Sequence, residues 1–168
     1  MATILGDQKK FNEYGLSKLK ELPSVYFQAK PNLLDHGENE SDALNTLASA
    51  FGVTPENPII RVPIFNLEIT IDINLLSHIV EKRANGRERF ALFAKQTLMQ
   101  PHEVWRTKYD DNSYRYIYIA LFDGSKYHIA VIINIMANGN ILWNYMNSEL
   151  RSLDRLRVGE LLYCASQK

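Results

Sequence analysis

The sequence predicts an α+β domain in which N-terminal helices pack on a four- to five-stranded antiparallel sheet. Three observations predict it. The chain has 168 residues, 46% of them apolar, and a chain of this size buries roughly 70% of the surface it exposes when unfolded, enough for one core without staples. Apolar residues follow the helical period through residues 73–98 and switch to period two after Pro101. Asp123-Gly124 and Asn138-Gly139 then punctuate the second half as hairpin turns do. Helices followed by a meander is the α+β order.

Each element has a local reason. Tyr14, Leu16, Leu19 and Leu22 give an imperfect helical period over 12–22, which Pro23 stops. The run from Lys30 to Ser41 mixes Pro, Gly, Asn and acids and reads as a linker. Ser41 or Asp42 caps a helix over 43–51, and Gly52 stands just past its end. Short β-rich runs follow at 59–62 and 67–71, separated by Pro63. Asp72 caps a helix from Ile73 whose stripe is Leu75, Leu76, Ile79 and Val80, with Asn85-Gly86 as its stop. A second helix runs from about Arg87 to Leu98 with Phe90, Phe93, Ala94 and Leu98 inward. Strands are expected at 103–107, 114–122, 126–136, 141–145 and 158–163, with a short basic stretch at 150–157 before the last. Trp105 and Trp143 are expected in the core, while Tyr114, Tyr116 and Tyr118 alternate onto one face. We divide the chain into an acidic, loop-rich lead-in with two short helices, 1–65, and an α+β domain, 66–168.

Composition narrows the function. No apolar run approaches the ~20 residues of a membrane-spanning helix, and residues 1–10 lack a leader's apolar stretch. We therefore expect no membrane partner. The single cysteine, Cys164, allows no internal disulfide and no multi-Cys zinc site. Nineteen Lys and Arg balance nineteen Asp and Glu. The zero hides an asymmetry: residues 1–70 hold six cations and nine anions, and residues 71–168 hold thirteen and ten. Lys82, Arg83, Arg87, Arg89 and Lys95 cluster around one anion, Glu88, and Arg151, Arg155 and Arg157 form a second group. Such clusters suit either a solvated helix face or an anion site.

The motifs of NTPases, dinucleotide enzymes, α/β-hydrolases and zinc proteases are absent from the sequence. Of four histidines, His36 falls in the linker, His102 at a helix-strand junction, and His128 beside a turn, where structural hydrogen bonding is the ordinary role. His78 differs because Lys82, Arg83 and an Arg-rich turn follow it. An imidazole titrating near neutrality beside fixed cations supplies what metal-free phosphodiester chemistry needs, a base for a ribose hydroxyl and cations for charge on phosphorus. A surface histidine on an amphipathic helix is the competing explanation.

The stretch Leu76-Ser-His-Ile-Val-Glu-Lys-Arg83, then Arg89-Phe90, then Pro101-His-Glu-Val-Trp105, an aromatic strand Tyr114–Phe122, a β run ending in Asn144 and the closing Gly159-Glu-Leu-Leu-Tyr163 resembles the phage-associated nuclease-like domains of the barnase/EndoU/colicin/RelE superfamily. The similarity covers roughly residues 66–164. It implies helices packed on a four- or five-stranded sheet and a metal-independent endoribonuclease that needs no cofactor, acting on RNA, with tRNA one candidate. The reaction it implies is attack by the 2′-hydroxyl to leave a 2′,3′-cyclic phosphate. Many members are toxins with cognate immunity proteins, so the implied setting is a monomer acting in the cytoplasm, delivered from a phage particle or by secretion. His78 matches the acid or base and Arg89 the phosphate holder, with Asn144 standing where a threonine is usual. Tyr118 replaces a basic residue, leaving Arg115 or Tyr116 as substitutes. Lys82, Arg83, Arg87, Arg115, Tyr116 and Tyr118 are the expected substrate contacts. These two departures keep open a second function, a non-catalytic binding or phage-structural module on the same fold. A third, an ADP-ribosyltransferase, would need Glu103 or Glu149 as its acid.

Overall fold

The computed structural model describes residues 2–167. The chain is a mixed α+β fold, with strands β1 (Gln28–Ala29), β2 (Ile59–Val62), β3 (Leu67–Thr70), β4 (Glu103–Lys108), β5 (Tyr114–Ala120), β6 (Phe122–Asp123), β7 (His128–Met136), β8 (Gly139–Ser148) and β9 (Glu160–Cys164). Its α-helical segments are α1 (Glu40–Phe51), α2 (Ser77–Val80), α3 (Ala91–Met99) and α4 (Leu150–Leu153). Seven strands form one sheet in the order β2-β3-β8-β7-β5-β4-β9, and β1 pairs with β6 alone. The expected count of four or five strands is therefore too low. β2 and β3, counted with the lead-in and the domain start, extend the sheet through a parallel β3–β8 pairing, so the sheet is not purely antiparallel.

Where the period-two pattern is strong, the structure follows it closely. The β5–β7–β8 centre is antiparallel throughout, with Tyr118 opposite Val131 and Val131 opposite Tyr145. The helical expectations fare less well. Gly15, left-handed at φ 78°, ends a 3-10 turn over Phe11–Tyr14, so 12–22 becomes two separate turns rather than one helix. The stripe from Ile73 breaks into a 3-10 turn (Ile73–Leu75), one turn of α2, and a further turn (Arg83–Asn85). Arg83 helps end α2, because its Nη1 donates to the Val80 carbonyl at 2.8 Å. The next helix likewise starts as a 3-10 turn over Arg87–Phe90 before α3. Asn39, not Ser41 or Asp42, caps α1, its side chain accepting from the Asp42 N–H at 2.9 Å.

Alternation on the strands creates two apolar clusters. One joins Leu47 and Phe51 of α1, Phe93 and Leu98 of α3, and Ile79 and Val80 of α2 to Tyr118, Val131, Ile133, Leu142 and Tyr145 of the sheet. The other joins Trp105, Ile117, Ile119, Ala130 and Ile132 to Leu19 and Leu153, with Phe11, Tyr14 and Phe27 packed on it. Side chains from the first 65 residues thus enter both clusters. At two positions glycine is required by space as well as by φ. A Cβ on Gly159 (φ +105°) would lie 2.5 Å from the Arg106 carbonyl oxygen, where β9 enters beside β4. A Cβ on Gly86 (φ +54°) would lie 2.8 Å from the His36 ring, at the link that delivers Arg87. No helix of the described residues is long and apolar enough to cross a membrane.

Candidate active site

β8 contains a bulge. Ile132 of β7 pairs with Asn144, but the next residue, Ile133, pairs with Leu142, so Trp143 is the extra residue. Strict alternation would place Trp143 and Asn144 on opposite faces. The bulge instead turns Trp143 out of the core, where it is 37% exposed, while Trp105 is fully buried. The expectation of two core tryptophans is thus corrected at Trp143. The burial pattern of β8 carries its trace: Leu142 and Tyr145 are both buried though three apart, a spacing no regular strand allows.

The bulge assembles two neighbouring contacts. The Trp143 ring lies against the His78 imidazole of α2, with centroids 4.8 Å apart at 35°. His78 is half-buried, and its Nε2 is shielded with no hydrogen-bond partner among the described residues. One residue along, the Asn144 Oδ1 accepts from Arg87 Nη2 at 2.7 Å, and the Tyr145 hydroxyl donates to the Arg87 carbonyl oxygen at 2.7 Å. A chain of contacts thus runs from the His78 ring of α2 to Trp143, along the β8 backbone to Asn144, and on to Arg87 in the turn before α3.

Arg87 has unusual electrostatics. Burial pulls its guanidinium below the ordinary arginine value, with Tyr145 opposing, and no carboxylate partners it among the described residues. A guanidinium that has lost water and gained only a neutral amide and the face of the Tyr145 ring, 5.6 Å away, is suited to take an anion. The other predicted cations lie elsewhere. Arg83 is spent in an ion pair with the fully buried Glu88 and also donates to the Gly37 carbonyl at 2.8 Å. Its guanidinium is raised by the Glu88 hydrogen bond, and the Glu88 carboxyl stays below the usual range because Arg83 and the Gly37 N–H outweigh its desolvation. Arg89 is exposed and its Nε donates to the Leu34 carbonyl at 3.0 Å. Lys82 is exposed in the turn after α2.

The β5 residues divide by parity. Tyr116 and Tyr118 share the face of the first cluster, Tyr116 half-buried and Tyr118 fully buried with an unpartnered hydroxyl. Burial, with Tyr116 adding, pushes the Tyr118 phenol upward, so it stays neutral. Arg115 alternates away from them and stacks over the Tyr109 ring at 4.0 Å. Of the expected substrate contacts, Arg87 meets Asn144 directly and is linked to His78 only through the neighbouring Trp143, Tyr118 lies two strands from Tyr145, and Arg83 and Arg115 are committed to other partners.

The remaining histidines and acids are engaged or remote. His36 is hydrogen-bonded through Nε2 to the Arg83 carbonyl at 2.6 Å. His128 Nδ1 accepts from the Phe122 N–H at 3.0 Å, a structural role, and burial lowers its pKa. Glu103 is enclosed by Arg157 and the Trp105 N–H, and Glu149 is exposed beside Lys126.

The model of one protein family, the phage-Barnase-EndoU-ColicinE5/D-RelE like nuclease2 family, matches residues 46–164, from the middle of α1 to the end of β9. The chain belongs to this family. Every residue of the His78–Trp143–Asn144–Arg87 chain falls inside the matched span, as does Gly159. No curated protein and no solved structure matches the chain.

Proposed function

We propose that this phage nuclease-like domain is a metal-independent endoribonuclease whose centre is His78, Arg87 and Asn144. The observation that carries the reading is Arg87, a half-buried guanidinium with no carboxylate partner among the described residues, held by Asn144, whose neighbour in β8 is the Trp143 that packs on the half-buried His78. An RNA phosphate supplies the missing negative charge, and planar bidentate geometry favours arginine for it. His78 takes the proton of the 2′-hydroxyl. The 2′-oxygen then bonds to phosphorus as the bond to the 5′-oxygen breaks, and that oxygen leaves as a hydroxyl after taking up one proton. The products are a 2′,3′-cyclic phosphate and a 5′-hydroxyl, and charge developing on the phosphoryl oxygens is met by Arg87.

Asn144 acts as a positioning residue through Arg87. Arg89, on the solvent side of the same turn, steers RNA rather than holding the scissile phosphate. RNA is the partner this reading requires, and an inhibitor protein would have to cover the Trp143 face.

The test is cleavage of total RNA and of tRNA in excess EDTA, with end analysis of the products. Cleavage with cyclic phosphate ends, lost in His78→Ala at unchanged melting temperature, is the expected result. RNA left intact at enzyme excess by a folded wild-type chain would overturn the catalytic reading and leave a non-catalytic binding module on this fold.

A further inference from the structure

β4 and β9 meet at the far side of the sheet from β8, with β7 and β5 between. There Glu103 lies directly opposite Cys164 in the strand pairing, and His102 precedes Glu103. The three side chains are buried, and one ligand-type atom from each lies within 4.8 Å of the others. Two features of this group are unexplained by structural roles alone. His102 is 3% exposed, yet neither ring nitrogen has a hydrogen-bond partner among the described residues. A buried unsatisfied imidazole is costly unless something completes it.

The charge balance is also incomplete. Arg157, 1% exposed, is bound by both Glu103 oxygens and by the Asp154 carboxylate, so one cation faces two anions. The cluster therefore holds one excess negative charge. Glu103 has one acceptor position to spare: Oε1 accepts from the Trp105 and Arg157 Nε groups, while Oε2 accepts only from Arg157 Nη2. That Oε2 is the atom 3.7 Å from His102 Nε2.

We infer that His102, Glu103 and Cys164 form a binding site for a zinc-class divalent cation. Imidazole nitrogen, thiolate and one carboxylate oxygen are the donor types such an ion takes, and ligand atoms around zinc sit roughly 3.5 Å apart, a separation that His102 Nε2 and Glu103 Oε2 approach at 3.7 Å, with one ligand-type atom from each of the three residues within 4.8 Å of the others. On binding, the Cys164 thiol loses its proton to solvent, and two positive charges added to one new thiolate and one excess anion bring the cluster to neutrality. Each ligand also borders a small surface cleft: His102 beside Tyr26 and Gln28, Cys164 beside Gln167, and Glu103 beside Ser166. A water completes the fourth position on the ion, as in other three-ligand zinc sites. The site is structural, pinning β9 to β4, and is independent of the nuclease reading.

The test is titration of the metal-free full chain with Co2+, read by absorption, and with Zn2+, read by melting temperature. Expected are one equivalent bound, a sulfur-to-cobalt charge-transfer band, and a higher melting temperature with Zn2+. Cys164→Ser abolishes the band, and His102→Gln weakens Co2+ affinity at least tenfold, while both keep the metal-free circular dichroism of the wild type. A folded wild type that shows no charge-transfer band at saturating Co2+, or a band that survives in Cys164→Ser, overturns the site. The wild-type arm decides the matter even if a variant fails to fold. RNA cleavage in EDTA proceeds whichever way this result falls, so the two claims fail separately.

Discussion

Arg157 and Arg87 are both largely withdrawn from water, and the fold treats them oppositely. Burial pulls each guanidinium down, but at Arg157 the Glu103 and Asp154 carboxylates more than offset it and its pKa is raised, whereas at Arg87 burial prevails. Arg157 also ties the lead-in to the sheet, its Nη1 donating to the Ser17 carbonyl at 2.9 Å, with Asp154 accepting from the Leu19 N–H. One arginine is completed by the protein and serves structure. The other has no carboxylate partner among the described residues, and it is the one we propose receives the RNA phosphate. The number of cations in a stretch is therefore a poor guide to a phosphate site, because Arg83, four positions before Arg87, is as fully neutralised as Arg157.

The largest effect that would break this contrast is on stability. Glu103→Ala leaves Arg157 buried with only Asp154, and removing one partner of a buried pair costs about 3–5 kcal/mol. For a domain of this size that is a fall in melting temperature on the order of 10 °C or more, measurable by calorimetry. Arg87→Ala should move the melting temperature far less, since it removes an incompletely solvated cation along with one hydrogen bond. Its expected cost falls on cleavage, about 10²-fold or more in rate, the scale for losing one group that stabilises transition-state charge. Asn144→Ala, acting through Arg87, should lower the rate by a smaller factor, and Lys at position 87 should restore only part of it because a point charge cannot reproduce the fork.

Acid sharpens the comparison further. His102 and His128 have folded pKa values depressed by burial, so the unfolded chain binds more protons as pH drops past about 6.5. Their contribution to stability is present above that pH and is lost as pH falls below it. The melting temperature should decline through this window, and His128→Asn should flatten part of the decline. Equal slopes for wild type and variant would show that burial of His128 does not tune stability. The smallest expected effect is at Gly159. Gly159→Ala forces β9 away from the Arg106 carbonyl and should cost about 1–3 kcal/mol, the usual scale for backbone strain at such a position, with cleavage at low temperature intact.

Legibility in the sequence followed the strength of each pattern. Period two and the hairpin turns located β4, β5, β7 and β8, while the family resemblance grouped His78 and Asn144 with Arg89 and left Arg87 among the substrate contacts, because sequence order alone does not show that Arg87 is the arginine that reaches Asn144. The 3-10 breaks around α2 were hidden because propensity describes Ile73–Asn85 as one stripe, while Arg83 and Glu88 divide it through side-chain bonds. The Trp143 bulge was hidden for a related reason, since parity alone assigns an aromatic strand residue to the core. Arg157 and Glu103 are 54 positions apart in the chain and only the β4–β9 pairing joins them. Seven strands were undercounted because the parallel β3–β8 contact needs a long connection that no local signal announces.

The most direct test of the account compares RNA cleavage rates in EDTA for Arg87→Ala, Arg89→Ala and Arg83→Ala, each with its melting temperature. The account predicts that Arg87→Ala alone loses at least about 10²-fold in rate with a stable fold, that Arg89→Ala stays within a few fold, and that Arg83→Ala loses stability first. A folded Arg87→Ala variant cutting at the wild-type rate would contradict it.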